Sequence, residues 1–363
     1  MGDSSEDIIR KVIKESEDKF GKGAVTSFGT ESPSDVTSWI HTGSYALDSV
    51  IGRGIPRGRI VEIFGPESTG KTTLGLQVLA ITQQMGGIAA MIDTETSYDA
   101  ARAKSIGLDT SKLLYAQIDT MEDCFQFLKL VSHVVKDAGP DKHLTLLWDS
   151  LAATPAKDEL ESEFGKRSYG RGANVISSSL RMMKRELTWN NVTLLVVNQI
   201  RDAIGDQWGP KVNTYGGWAM KFYASVRLDL KKVEVLKTKN ARDEERAYGV
   251  KVRVKVVKNK VAAPFGECEI VIDFMRGIDG VASDVVYAAD HGMIPGGGGW
   301  YTLVIPGVQK EKWRYTELEA HFREHPDQIA LLYNLEGKKT AQVDSIPQDK
   351  PGDEVVRTAR TEE

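Results

Sequence analysis

The residues with the clearest chemical signature are Gly65-Pro66-Glu67-Ser68-Thr69-Gly70-Lys71-Thr72, followed by Thr73. A short apolar, β-branched run, Ile60-Val61-Glu62-Ile63-Phe64, enters this stretch, and a helical apolar pattern through Leu74, Leu76, Val78 and Leu79 leaves it. The predicted context is therefore strand, loop, helix, the setting a phosphate-binding loop requires. Gly65 and Gly70 let successive backbone N–H groups converge on phosphate oxygens, and the helix N-terminus adds its positive end. Lys71 then reaches the outer phosphates, and the Thr72 hydroxyl is placed to ligate Mg²⁺.

Two carboxylates fit the same chemistry. Leu146-Leu147-Trp148-Asp149-Ser150 reads as an apolar strand ending in an acid, where a nucleotide-binding sheet places the Asp that orients Mg²⁺ and its waters. The strand Ile88–Ile92 ends at Asp93-Thr94-Glu95-Thr96-Ser97, and Glu95 at such a tip is placed to polarise a water for in-line attack on a terminal phosphate.

The elements that must position these groups follow from the hydrophobic pattern. Strands are expected at Arg59–Phe64, Ile88–Asp93, Leu144–Asp149, Val192–Asn198 and Ser225–Leu230. Helices are expected around Leu74–Gln84, Met121–Lys136 and Val175–Thr188. Such alternation predicts an α/β fold with a mostly parallel central sheet and ligands at the carboxyl ends of its strands. Val250–Val257 and Glu269–Phe274 alternate with period two and read as antiparallel additions at one edge. Ser4 and Asp7 form a capping box for an amphipathic first helix bearing Ile8, Ile9, Val12, Ile13 and Phe20, and a Gly/Ser/Thr-rich linker follows to residue 35. After a core of residues 36–279, residues 280–335 read as a small α+β domain, with helices at Ser283–His291 and Tyr315–Leu335 flanking a Gly-rich, aromatic stretch. Residues 336–363 read as a disordered tail.

Composition narrows the function classes. With 363 residues, 27% charged and a net charge of −4, no global basic field announces nucleic acid, so any polyanion site must be local. Two cysteines, Cys124 and Cys268, show no metal or disulfide spacing, and no run is long enough to span a bilayer. A cytoplasmic, reducing location is expected.

The combination of motifs is more specific than any one of them. GPESTGKTT at 65–73, the Asp-x-Glu of Asp93–Glu95, Trp148-Asp149-Ser150, Asn198-Gln199-Ile200-Arg201, Gly216-Gly217, Lys221-Phe222-Tyr223-Ala224-Ser225-Val226-Arg227 and the segment from Val256 to Phe265 occur in order. In this the chain resembles the RecA recombinase family from about Lys19 to about residue 335. The resemblance implies a P-loop RecA-type ATPase core that binds ATP and Mg²⁺. It makes Glu95 the water-activating base, Thr72 and Asp149 the Mg²⁺ positions, and Gln199 the sensor coupling the terminal phosphate to the loop that begins at Arg201. It assigns Lys258 and Lys260 to the ATP of a neighbouring subunit, and their i, i+2 spacing puts both ammonium groups on one face of a strand. Asp99 occupies the position expected to face the adenine amino group. Arg102 stands where the family usually has a stacking tyrosine, and a guanidinium stacks on a base as well.

Two loops are expected to carry DNA. Residues 162–171 supply Lys166, Arg167, Tyr169 and Arg171, with Asn174 and Arg181 following on the next helix. Residues 201–217 supply Arg201, Ile204, Trp208, Gly216 and Gly217. Asn174 and Ala203 replace basic residues usual in the family, so strand binding leans on Arg171 and Trp208. The stretch Lys310, Lys312, Trp313, Arg314 is a candidate for duplex capture. The resemblance implies a recombinase that assembles as a helical homo-oligomer on single-stranded DNA and pairs it with homologous double-stranded DNA, with DNA-stimulated ATP hydrolysis. The alternatives are a ring ATPase or helicase of related core and a nucleotide-gated DNA-binding filament with little turnover.

Overall fold

In a computed structural model of the chain, the structure describes residues 4–21, 24–25, 27, 36–139, 141–161, 171–202, 212–239, 243–305, 308 and 312–333. Tyr169, Ile204, Trp208, Lys166, Arg167, Ala203, Lys310 and the 336–363 tail lie outside the described residues, as do the side chains of Arg201 and Asp202.

Residues Met1–Thr37 and Ser38–Glu363 form separate compact units. The first carries α1 (Ser5–Phe20), which begins with the expected box: the Ser4 hydroxyl accepts from Asp7 N at 3.2 Å, and Ser4 N donates to Asp7 Oδ2 at 3.2 Å. None of its residues is buried, and Ile8, Ile9, Val12 and Phe20 are exposed.

The second unit opens with β1 (Trp39–Ile40) and β2 (Ile55–Pro56), which pair antiparallel on either side of α2 (Tyr45–Ile51). Its centre is a ten-stranded sheet. The strands are β3 (Ile60–Gly65), β4 (Ile88–Asp93), β5 (Leu113–Ala116), β6 (Leu144–Asp149), β7 (Val192–Asp202), β8 (Val212–Thr214), β9 (Val226–Lys239), β10 (Glu245–Asn259), β11 (Glu267–Asp273) and β12 (Gly277–Asp279). The order is β12-β11-β10-β9-β3-β7-β6-β4-β5, with β8 paired to β7. From β9 to β5 neighbouring strands run parallel, and β10, β11 and β12 continue the sheet antiparallel, as the alternation of Val250, Val252, Val254 and Val256 with Lys251, Arg253 and Lys255 requires.

The interior strands β3, β4 and β6 bury nearly every residue because both faces of the sheet are covered. On one face α3 (Lys71–Gln84) packs through Leu74, Val78 and Leu79, beside α2 and α4 (Ala100–Ser105). On the other lie α5 (Met121–Asp137), through Cys124 and Leu128, α7 (Arg171–Trp189), through Ile176, Leu180 and Leu187, and α8 (Trp218–Tyr223). The short α6 (Lys157–Glu161) precedes α7.

The C-terminal part adds α9 (Gly280–Asp290), the ribbon β13 (Gly296–Gly297), β14 (Trp300–Thr302) and β15 (Lys312–Arg314), then α10 (Tyr315–Glu324) and α11 (Pro326–Leu332). The single helix expected over Tyr315–Leu335 is thus two. Pro326 disfavours helical geometry at His325, whose ψ is +66°, and then starts α11 from its first turn. Strand alternation turns Trp313 into the core while Lys312 and Arg314 face water, which removes the indole from the candidate duplex surface.

A buried carboxylate joins this part to the sheet unit. Asp284 of α9 accepts from Ser44 Oγ (2.6 Å), Ala46 N (2.9 Å) and Tyr45 N (3.0 Å), satisfying donors at the start of α2 that have no helical partner. Burial pushes its pKa up to about 7 even against these three donors. Asp284→Ala strands those donors, so the urea midpoint should fall by the equivalent of at least ~2 kcal/mol.

Candidate nucleotide and DNA site

Sheet register assembles the site before any side chain is considered. Asp93 pairs with Asp149 across β4 and β6, and Gly65 pairs with Gln199 across β3 and β7, so four parallel strands end together. The 65–73 loop turns from β3 into α3 at this edge. A side chain at Gly65 would meet Leu230 O at 2.2 Å, and at Gly70, where φ is +80°, it would meet Ile272 Cδ1 at 2.3 Å. Gly70 caps α3 without a side-chain hydrogen bond, leaving the first N–H groups of a 14-residue helix for a ligand.

A cleft of about 380 Å³ opens over this loop, lined by residues 67–73, Glu95, Arg102, Asp149, Val197, Gln199, Val250, Ile272 and Phe274. Lys71, 9% exposed, donates to Gly65 O (3.1 Å) and Pro66 O (2.7 Å). Burial lowers its pKa, opposed by the nearby charges of Asp149, Glu95 and Glu67. A phosphate in the cleft would push this pKa back up by favouring the charged form.

The Thr72 hydroxyl donates to Asp149 Oδ2 at 2.6 Å. Burial raises Asp149 to about 6, with Thr72 pulling it back and Glu95 and Asp93 adding to the rise. Among the described residues no group of three or more His, Cys, Asp or Glu side chains is arranged to hold a metal. One hydroxyl and one carboxylate are the sparse protein ligands that Mg²⁺ takes alongside waters and phosphate oxygens, so this pair fits it.

Glu95 reaches the cleft on a loop organised by Asp93. The buried Asp93 accepts from Glu95 N (3.2 Å), Ser97 N (3.3 Å), Tyr98 N (3.0 Å) and Tyr115 Oη (2.9 Å). Thr94 bridges to β6 by donating N to Asp149 O (2.9 Å) and Oγ1 to Ser150 O (2.9 Å); the Asp149–Ser150 peptide is cis. Glu95 Oε1 accepts from Gln199 Nε2 at 3.0 Å and from Ser150 Oγ, so Oε2 is the oxygen left to hold a water.

Behind Gln199 lies a polar network that the sequence reading missed. Fully buried Glu62 of β3 accepts from Asn198 Nδ2 (2.8 Å) and from Arg227 Nε. Asn198 also donates to Tyr215 O (2.9 Å), and Arg227 Nη2 donates to Thr214 Oγ1 (3.3 Å). The strand that feeds the phosphate loop is therefore tied to residues on both sides of the 203–211 segment.

Arg102 lines the cleft, with Nη2 bonded to Thr73 Oγ1 and Nε buried without a partner. Asp99 instead caps α4, accepting from Ala101 N (2.8 Å) and Arg102 N (3.2 Å), and is not among the lining residues. Phe274, 38% exposed at the end of β11, supplies an aromatic face where the sequence offered only Arg102.

Lys258 and Lys260 do not line this cleft. Both turn to the C-terminal end of α8: Lys258 Nζ donates to Phe222 O (3.0 Å) and Lys221 O, and Lys260 Nζ to Phe222 O (2.9 Å). Burial pushes Lys258 down to about 8, helped by the charges of Lys260, Arg227 and Lys184. At pH 8 the unassembled chain should therefore acetylate at Lys258 faster than at its exposed lysines, by mass spectrometry of brief acetic anhydride labelling.

Of the expected DNA residues, Arg171 pairs with Asp158 at 3.0 Å at the start of α7, and Asn174 and Arg181 are exposed on the same helix. Arg181 Nε donates to Tyr223 Oη at 3.4 Å, joining α7 to α8. Gly216 and Gly217 have φ of +86° and +58°, and nothing lies within 4 Å of a side chain built on Gly217.

Comparison with known proteins decides the family. The RecA N-terminal domain family model matches residues 7–279. The chain belongs to the RecA family. It is 41% identical to a protein RecA of Thermus thermophilus over 350 residues, 95% of this chain and 97% of that one. It is 38% identical to a protein RecA of Thermus aquaticus over 348 residues, again 95% and 97% of the two chains. A protein RecA of Borreliella afzelii is 40% identical over 301 residues, 83% of this chain and 80% of the relative. The RecA-type core expected from the motifs is the fold observed. No helix among the described residues is long and apolar enough to cross a membrane.

Proposed function

We propose that this RecA-family chain is a DNA-dependent ATPase acting as a homologous-recombination recombinase, of the kind that serves DNA repair and the SOS response. It assembles on single-stranded DNA in the ATP state, pairs that strand with homologous duplex, and leaves after hydrolysis. The observation that carries this reading is the hydrogen bond from Gln199 to Glu95. It links the carboxylate best placed to activate water to the strand that runs into the DNA-binding segment, so phosphate chemistry and DNA contact share one element.

In the proposed reaction the N–H groups of the 65–73 loop and the Lys71 ammonium hold the triphosphate. Thr72 and Asp149 would hold Mg²⁺, which would supply positive charge to offset that developing on the phosphate oxygens. Glu95 Oε2 accepts a proton as water oxygen bonds to the terminal phosphorus and the bond to the bridging oxygen breaks, giving ADP and phosphate. Gln199 moves with the terminal phosphate and shifts β7. Lys258 and Lys260 leave the α8 carbonyls to meet the phosphates of the adjoining subunit, so nucleotide stabilises the contact between subunits. The exposed apolar residues of α1, Ile8, Ile9 and Val12, suit docking on another copy, where Leu114 of the edge strand β5 and Leu130 and Val134 of α5 are exposed.

The test joins two assays: ATP turnover with and without a single-stranded oligonucleotide, and exchange of a labelled strand into homologous duplex. Stimulated turnover with strand exchange is expected. Unwinding without pairing would favour the helicase, and DNA binding with negligible turnover the inert filament.

A further inference from the structure

We propose that the buried Glu62–Arg227 pair is a positioning device that makes ATP turnover depend on single-stranded DNA, by holding the chain on both sides of residues 203–211 against the strand that feeds the phosphate loop. This rests on the DNA-dependent ATPase reading above and adds a coupling route besides Gln199. Glu62 is fully buried, and the Arg227 side chain is 11% exposed. Arg227 also lies over the ring of Phe64, the residue before Gly65, with its guanidinium carbon 4.7 Å from the ring centroid. One guanidinium therefore meets β3 twice, at Glu62 and at Phe64, and reaches Thr214 beyond the segment.

The other Glu62 oxygen takes Asn198 Nδ2, which donates a second time to Tyr215 O, while Asn198 Oδ1 accepts from Gln199 N at 3.0 Å. A side chain built on Gly172 would meet Tyr215 Oη at 2.3 Å, so the same tyrosine packs against the start of α7, just after the first expected DNA segment. Moving β3 relative to the ends of 203–211 would break a charged hydrogen bond where water does not replace it. Stability is a poor explanation for the pair, because taking two charges out of water is costly and well-packed apolar residues of the same volume often serve as well. What apolar side chains would not supply is direction: each hydrogen bond fixes a donor against an acceptor, which gives the network one register.

The test compares wild type with a full chain carrying Glu62→Leu and Arg227→Met together, which removes both charges at similar volume. Melting close to wild type is expected, with ADP affinity and DNA-free turnover within about two-fold of it. Stimulation of turnover by an oligothymidylate is expected to fall at least about ten-fold. So is the gain in oligonucleotide affinity on replacing ADP by a slowly hydrolysed ATP analogue, since coupling between binding sites is reciprocal. Arg227→Met relieves Lys258 of a like charge, so the loss would run against the change expected at that lysine. Both ratios within about two-fold of wild type would overturn the proposal. Hydrogen exchange of the wild type needs no variant: the ATP analogue without DNA should slow the amides of Thr214 and Tyr215 relative to ADP. Unchanged exchange there would overturn the coupling even if the double variant folds poorly. A wild-type chain that DNA does not stimulate would overturn the DNA-dependent reading, and this coupling with it.

Discussion

Glu95→Gln is expected to lower single-strand-stimulated ATP turnover by about 10²–10⁴-fold while leaving nucleotide and DNA binding within a few-fold of wild type. The amide keeps the shape and the oxygen that accepts from Gln199 and Ser150, so the Asp93-centred loop and the link to β7 persist. What it loses is the basicity needed to take a proton from water. Phosphate release reads the chemistry, and polarisation of a labelled oligonucleotide reads the binding. A variant that turns over ATP at the wild-type rate would remove Glu95 from the base role.

The second large effect concerns the paired lysines. Lys258→Ala is expected to reduce DNA-stimulated turnover by about 10²–10³-fold, because it removes a positive charge from the developing phosphate charge in a largely desolvated site. Nucleotide binding to a single chain should survive, since Lys258 lies away from the cleft at the end of α8. Isothermal titration with ADP at low protein concentration tests that half. Loss of ADP binding would mean that the lysine acts within its own subunit or holds the fold.

The parts of the fold and site that were legible in the sequence are those set by local pattern. The glycines and lysine of 65–73, the strand-terminal Asp149 and Glu95, and the alternation in β10 are each fixed within about ten residues, and each stands where local pattern placed it. Groups brought together by sheet register were not legible. Glu62 and Arg227 look like ordinary surface charges in a linear chain, yet β3 and β9 pair in parallel and place them in one buried network. Phe274, just past β11, lines the cleft beside residues 67–73, from which it is far removed in sequence. β9 was expected to end at Leu230, where the pattern turns polar, but main-chain pairing with β10 continues to Lys239 with both faces largely in water. Hydrophobic periodicity reports burial, and a solvated ribbon has none to report. The cap that Asp99 gives α4 was equally hidden, although an acid just before a short helix commonly takes that part.

The spacing of Lys258 and Lys260 foretold their shared face, and both ammonium groups reach Phe222 O. In one chain both are tied to α8, away from the phosphate loop. The most direct measurement mixes equal amounts of Glu95→Gln and Lys258→Ala on single-stranded DNA. In a head-to-tail filament each interface takes the base from one subunit and the lysine from the next. A quarter of random interfaces then receive both intact, so turnover should rise to about 25% of wild type. Turnover no greater than the sum of the two variants measured separately would contradict an ATP site shared between subunits.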